Sequence, residues 1–392
     1  MAKQLKLKNF AAAFFYLAVL SVPFYIFRFQ IFGLPTTLTE ILIYISFLLA
    51  ALNFLSNRLE KRLIPRAFCL AAAGFVLVAL ANCFAPVFSV DALGVWKAYF
   101  FDGLLLAMNY FLLIDENKAE NTQNVLISGA LIVSVICLGE FLLGTKTVDG
   151  RLMDLDQISP NYLSLYLAPV AVLTIIRALD SKKEKTVPYL ISSLIFCLAI
   201  YLTGSRGGIL AIIVALVFYL IGRIPTGAKK LNVLRAVAAI ILLIGGYALF
   251  KPDFGAMGRV GNSSNIRVYI WQTTLEIIQK NPVFGVGLDN YQNYFSKLTW
   301  DRINYPEYIA PQALTAHDLY LHLLAVGGPF LLASFIVLLL FSRFYRAPNQ
   351  LKYAVLAILI YALIDTPFFR NDLALVFWLI LALGTKKSSK QV

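Results

Sequence analysis

The stretch AFCLAAAGFVLVALANCFAP, residues 67–86, runs its whole length without a charge. Twenty or so apolar residues in a helix match the ~30 Å hydrocarbon core of a bilayer. Comparable runs recur along the chain, bounded by charges or by Pro, Gly and Asn clusters. The predicted spans are 10–27, 36–54, 67–86, 95–114, 125–143, 161–179, 188–203, 208–222, 233–250, 317–341, 351–366 and 372–385. This recurrence predicts an all-α fold, a polytopic membrane protein of about twelve transmembrane helices. Residues 1–392 read as a single membrane domain rather than two or three soluble ones. Composition agrees: 60% of the residues are hydrophobic and 14% charged, where a soluble domain carries about a quarter charged. The seventh, eighth and last two spans are short enough to be tilted or partly re-entrant. Lys3, Lys6 and Lys8 precede the first run, but no small-residue cleavage site closes it, so it reads as the first anchor.

A net charge of +13 invites a nucleic-acid reading, and its distribution argues against one. With the N-terminus placed in the cytoplasm, the segments on that side hold 22 of the 34 Lys and Arg residues. Half of the remaining twelve lie in one long loop, 251–316. This is the positive-inside pattern, and it makes the basic clusters (Arg58 to Arg66, Lys182 to Lys185, Lys229 to Arg235) topology determinants. Both termini are then cytoplasmic, and the 251–316 loop, between the ninth and tenth spans, faces out and carries short amphipathic helices. Cys69, Cys83, Cys137 and Cys197 lie in or at the edge of spans with no metal spacing, and read as small apolar packers.

Polar groups inside apolar spans are costly and usually have a purpose. Glu40, Asp102, Glu140 and Asp365 all fall in the outer halves of their spans, which suggests an outward-facing polar cavity. Three outer-face motifs stand above that background. The first is Thr203-Gly204-Ser205-Arg206-Gly207-Gly208. It is a tight turn leading into a helix whose N-terminus points outward, so free N–H groups, Gly207 and Gly208 can admit an oxyanion, and Arg206 adds a charge. The second is Ser263-Ser264-Asn265-Ile266-Arg267, opening a helix of about four turns that ends near Asn281-Pro282. Ile266, Ile270 and Ile277 give it an apolar face suited to lying on the membrane, with Arg267 in its first turn. The third is Thr315-Ala316-His317-Asp318-Leu319-Tyr320 at the outer start of the tenth span. A His at a helix N-terminus has its cationic form disfavoured, leaving His317 able to accept a proton. His322, five residues on, lies about 140° around the helix, which speaks against a metal pair. No cofactor is called for.

Two arginines aimed at anionic oxygen and one potential base, on a membrane face, suit transfer from a lipid-linked diphosphate. A snorkelling Arg or an interfacial His would explain each residue singly. The order "TGSRGG", then "IRVYIWQTTLEIIQKNPVFGVGLDNY", then "AHDLYLHLLAVGG" resembles the O-antigen ligase and O-antigen polymerase superfamily. The likeness runs from Arg151 to the end of the chain and includes "PNYLSLYL" and "DTPFFRNDLALVFWLILAL". It implies a membrane glycosyltransferase that moves a glycan from undecaprenyl diphosphate to an acceptor outside the cytoplasmic (inner) membrane, in surface polysaccharide assembly. On the matching positions it makes Arg206 and Arg267 diphosphate binders and His317 the base, with no metal. The family often has Asn after that His; here Asp318 could orient or charge the imidazole. Arg151, Gly207, Gly208 and Asp289 are supporting candidates. Tyr291, Tyr294, Trp300, Tyr305 and Tyr308 could stack on sugars, with Asp289 and Glu307 bonding their hydroxyls, or form an interfacial belt. A secondary transporter or lipid-linked glycan flippase is the alternative, although its two similar halves are missing. An intramembrane serine protease built on Ser205 and His317 is a third reading. The motifs leave ligase and polymerase unseparated.

Overall fold

The computed structural model describes residues 2–31, 34–56, 65–85, 88–225, 227, 232–233, 263–299 and 313–385. The predicted ninth span, most of the clusters at 58–66 and 229–235, and Trp300, Tyr305, Glu307 and Tyr308 lie outside the described residues. The described helices are α1 (Ala2–Ser21), α2 (Leu38–Ser56), α3 (Arg66–Ala81), α4 (Val90–Trp96), α5 (Asp102–Leu113), α6 (Ala119–Leu142) and α7 (Pro160–Asp180). They continue as α8 (Lys183–Leu202), α9 (Arg206–Gly222), α10 (Ser263–Lys280), α11 (Tyr291–Thr299), α12 (Leu319–Ser342), α13 (Asn349–Tyr361) and α14 (Asn371–Gly384). A π-helical turn, Lys97–Phe101, joins α4 to α5. One antiparallel hairpin, β1 (Arg28–Ile31) with β2 (Leu34–Thr37), pairs Arg28 with Thr37.

Each predicted span within the described residues coincides with a helix, and the fourth with the α4–π-turn–α5 run. Among the described residues, five helical stretches are long and apolar enough to cross a membrane: Leu7–Phe24, Leu38–Leu55, Glu116–Leu142, Pro160–Asp180 and Leu319–Arg346. Four shorter apolar helices join them: Arg66–Ala81, Thr186–Leu202, Arg206–Gly222 and Asn371–Gly384. Leu48, Leu55, Leu70, Leu77, Leu142, Leu194 and Leu340 stand exposed on the helix surfaces. Apolar surface on that scale needs hydrocarbon rather than water around it. The chain is a multi-pass membrane protein.

The short helices are placed by packing. At 1.5 Å per residue the 14 residues of α14 reach only about 21 Å, less than a bilayer core. Residues Asp372 through Gly384 are buried throughout, so this helix is apolar on all sides because protein surrounds it. Its Trp378 donates to the Tyr99 carbonyl across the π-turn (3.1 Å) and fills the space left by Gly103. Along most of its length α7 is buried too, packed on α8, α9 and α13.

Helix α12 is broken at Gly328, whose φ of 64° and ψ of −170° are not helical, and Pro329 follows. Proline has no N–H, so the Ala325 carbonyl four residues back loses its helical donor. The loop after α10 supplies the replacement. Val286 N–H donates to the Ala325 carbonyl (2.8 Å) and Gly287 N–H to that of Val326 (2.9 Å). Gly285, at φ +65°, lies flat against Ala325 and Val326. This clip seats α10 on α12. It also corrects one expectation: Ile270 and Ile277 are buried, and Ile266 is packed on the core, so that face of α10 meets protein rather than lipid.

Candidate active site

The SRGG turn, the start of α10 and the loop before α12 converge on the C-terminal end of α13. Ser205 is the N-cap of α9 but gives no side-chain cap, so the first-turn N–H groups of α9 are not capped by it. Its hydroxyl instead meets Tyr361 Oη at 2.6 Å, and Tyr361 donates to Ser164 Oγ at 3.3 Å. Gly207 and Gly208 turn out to serve packing. A Cβ on Gly207 would sit 2.7 Å from Tyr361, and one on Gly208 would overlap the Ser164 hydroxyl. Their missing side chains make room for α13 and α7. Arg206 is exposed at the head of α9 and bonds to no described residue. Arg151 lies beside the same turn, its Cδ against Gly204, and pairs with Asp149 at 2.8 Å.

The other end of the Tyr361 turn carries the second half of the site. Asp365 N–H donates to the Tyr361 carbonyl (3.0 Å), and the Asp365 carboxylate is 4% exposed. Oδ1 of Asp365 lies 3.2 Å from His317 Nδ1, and Oδ2 lies 3.5 Å from an Arg267 guanidinium nitrogen. Arg267 sits in the second turn of α10, and one turn on, Trp271 Nε1–H donates to the His317 carbonyl (3.3 Å). On the other side Leu319 N–H donates to the Ala362 carbonyl (2.8 Å), and the Thr366 hydroxyl to that of Thr315 (3.1 Å). Arg267, His317 and Asp365 thus form one contact set, tied through Tyr361 to the turn that presents Arg206.

Three expectations change. His317 is not in the first turn of a helix. It precedes the cap, at φ +48°. Asp318 does not face the imidazole either. It is the N-cap of α12, accepting from Leu321 N–H at 2.8 Å. The carboxylate on His317 is Asp365, which the sequence placed only among the four acids in the outer halves of spans. Those acids divide: Glu40 pairs with Lys97 at 2.6 Å, Asp102 bonds Tyr44 at 2.6 Å and Glu140 stays half-buried near the end of α6, while Asp365 belongs to the His317 set. His322 is buried at 2% exposure and accepts from Ala316 N–H (3.3 Å), which fixes the backbone next to His317. Asp289 stands apart, beside Ser89 and Asp91, and Tyr291 is a core residue bonded to Thr274.

Residues 191–336 match the O-antigen ligase family. The matched O-antigen ligase segment begins within α8 and ends within α12, and it contains Arg206, Arg267 and His317. Asp365 lies beyond it, as does Arg151. The resemblance read from the three motifs is therefore shown over the stretch that carries them, and it supports a role in glycan assembly. No curated protein matches the chain.

The two aspartates give a sharp contrast in the candidate site. Asn caps a helix about as well as Asp. Asp318→Asn should therefore leave both the melting temperature and transfer close to wild type. Asp365→Asn keeps the shape but removes the charge from His317 and Arg267, and should lower transfer by tenfold or more. Equal effects of the two substitutions in a transfer assay would overturn the assignment of Asp365.

Proposed function

We propose that the protein is a membrane glycosyltransferase of the O-antigen ligase and polymerase type. It takes a glycan from a polyprenyl (undecaprenyl) diphosphate and moves it to an acceptor hydroxyl on the outer face of the cytoplasmic membrane. The observation that carries this reading is the His317–Asp365–Arg267 contact set, linked to the Arg206 turn, with Arg206, Arg267 and His317 in a segment matched to O-antigen ligase.

The chemistry follows from the atoms. A proton on His317 Nδ1 donates to Asp365 and leaves Nε2 as the acceptor, with the ring orientation fixed by the carboxylate. His317 is 36% exposed, so Nε2 can meet an incoming hydroxyl. The acceptor oxygen attacks the anomeric carbon, its proton passes to Nε2, and the bond from that carbon to the diphosphate oxygen breaks with inversion. The leaving group keeps the electron pair. Arg206 and Arg267 hold it and stabilise the charge, a task that suits the planar guanidinium fork. Asp365 serves Arg267 as well, holding that cation in place at 3.5 Å before a diphosphate arrives.

Purified protein in liposomes, given a polyprenyl-diphosphate oligosaccharide and a chelator, should release the lipid diphosphate. Release should vanish in His317→Ala. A ladder of products identifies a polymerase, and a single addition to a supplied acceptor identifies a ligase. Movement of the intact lipid-linked glycan across the bilayer without release would refute the enzyme and leave a carrier.

A further inference from the structure

Arg370 lies outside the O-antigen ligase segment and was not among the residues expected to matter, yet it is bound on every side. Its side chain is 12% exposed. Nη1 donates to Asp154 (2.6 Å), and Nε and Nη2 grip Asp372 through both carboxylate oxygens (2.7 and 2.8 Å). The guanidinium also lies over the rings of Tyr25 (4.7 Å) and Tyr162 (4.3 Å). Each partner anchors another piece of chain. Tyr25 donates to Asp156, which pairs with Arg28 of β1 at 3.7 Å. Asp154 accepts from Ile158 N–H and Ser159 N–H, and Ser159 caps α7. Burial pushes the Asp154 carboxyl up even though Arg370 opposes it. One guanidinium therefore ties together the end of the first span, the loop before α7, the start of α7 and the start of α14.

Arg370 is also five residues from Asp365, on the same turn. That turn is tight: Phe368 N–H donates to the Thr366 carbonyl (2.8 Å), and Arg370 N–H to that of Phe368 (3.0 Å). At the other end, Oδ2 of Asp365 has no hydrogen-bond donor among the described residues. The carboxylate is held by His317, by Thr366 N–H at 2.9 Å and by the Arg267 charge, two of which belong to the machinery it is meant to orient. Phe368 and Phe369 pack the middle of the turn, Phe369 edge-on to His322 with ring centres 4.3 Å apart. Aromatic contacts tolerate sliding, whereas a bidentate ion pair has a fixed geometry.

We propose that Arg370 is a positioning residue. Its ion pairs to Asp154 and Asp372 lock the Asp365–Arg370 turn and thereby hold Asp365 on His317. The inference rests on the reading of His317 as the base, but its test does not. The chain has two histidines, and His322 is buried, so diethyl pyrocarbonate reports on His317 without any substrate. The titratable and charged groups around His317 are Asp365 from the α13–α14 turn, Arg267 from α10 and His322 within α12, while Asp318, next in the chain, turns away to cap α12.

The rate of His317 ethoxyformylation against pH would be measured on the full chain in liposomes, by mass spectrometry of the labelled peptide. Arg370→Ala leaves two buried carboxylates unpaired and risks unfolding. The informative variant is therefore Arg370→Met with Asp154→Asn and Asp372→Asn, which keeps volume and removes the clamp. Its profile should leave that of wild type and coincide with that of Asp365→Asn, with transfer kcat down tenfold or more in both. A wild-type profile in the triple variant would overturn the proposal, as would an unaltered profile in Asp365→Asn itself. If the profiles move as expected while no variant, wild type included, transfers glycan, the clamp stands and the transferase reading falls.

Discussion

Arg267→Ala should lower glycan transfer by about 10²–10³-fold, and Arg206→Ala by a comparable factor, the cost of removing one donor to a developing oxyanion. The two should differ in stability. Arg206 is exposed and bonds to no described residue, so its removal should stay within the about ±0.5 kcal/mol usual for surface changes. Arg267 is 24% exposed and faces Asp365, whose carboxylate is 4% exposed. Taking it away leaves that carboxylate with His317 as its remaining side-chain partner, and the melting temperature should fall along with activity. Lysine should restore neither in full. A point charge on a different stem reproduces neither the fork nor the 3.5 Å approach to Asp365. If both arginines grip one diphosphate, the double variant should lose less than the product of the single losses. Full activity in Arg206→Ala, with folding intact, would remove the SRGG turn from the mechanism.

What the sequence could and could not disclose divides along a physical line. A span declares itself in consecutive residues, so the helices emerge from apolar run length alone. The partner of His317 does not. Asp318 is adjacent in the chain and Asp365 is 48 residues away, and only the fold shows that the near carboxylate turns back to cap α12 while the far one reaches the ring. Run length also cannot distinguish lipid from protein as the apolar surroundings. The isoleucine face of α10 looked ready for a membrane and is buried in the protein, where α10 packs on α12 and α11. The run of α14 from Leu373 on looked ready to face lipid and is enclosed by protein. A signal for the first was present: the glycines of "NPVFGVGLDNY" and "AVGG" mark two places where backbone approaches backbone. They are the glycines that clip α10 to α12.

Those glycines yield the other large effect. Gly328→Ala should destabilise the protein by several kcal/mol and abolish transfer, and Gly285→Ala should come close to it. At Gly328 the backbone is in a region essentially reserved for glycine, and an added Cβ would overlap the Val283 carbonyl oxygen. At Gly285, φ is +65° and a Cβ would stand 2.6 Å from the Ala325 carbonyl oxygen and 2.7 Å from Gly327 N. Left-handed backbone costs a non-glycine residue about 1–2 kcal/mol, and overpacking a tight site adds about 1–3 kcal/mol. The obstructing atoms are main chain, so no rotamer change relieves them. The only relief is for the loop to lift away, which breaks the Val286 and Gly287 hydrogen bonds and frees α10 from α12. That separates Arg267 from His317, so activity should be lost even where detergent-solubilised protein still folds. Gly139→Ala in α6 is the matched control, since nothing lies within 4 Å of its Cβ position. Alanine there should be neutral or stabilise by up to about 1 kcal/mol. Thermal unfolding of the three variants side by side would decide the matter. A Gly328→Ala protein as stable and active as Gly139→Ala would mean that the clip does not hold the two halves of the site together.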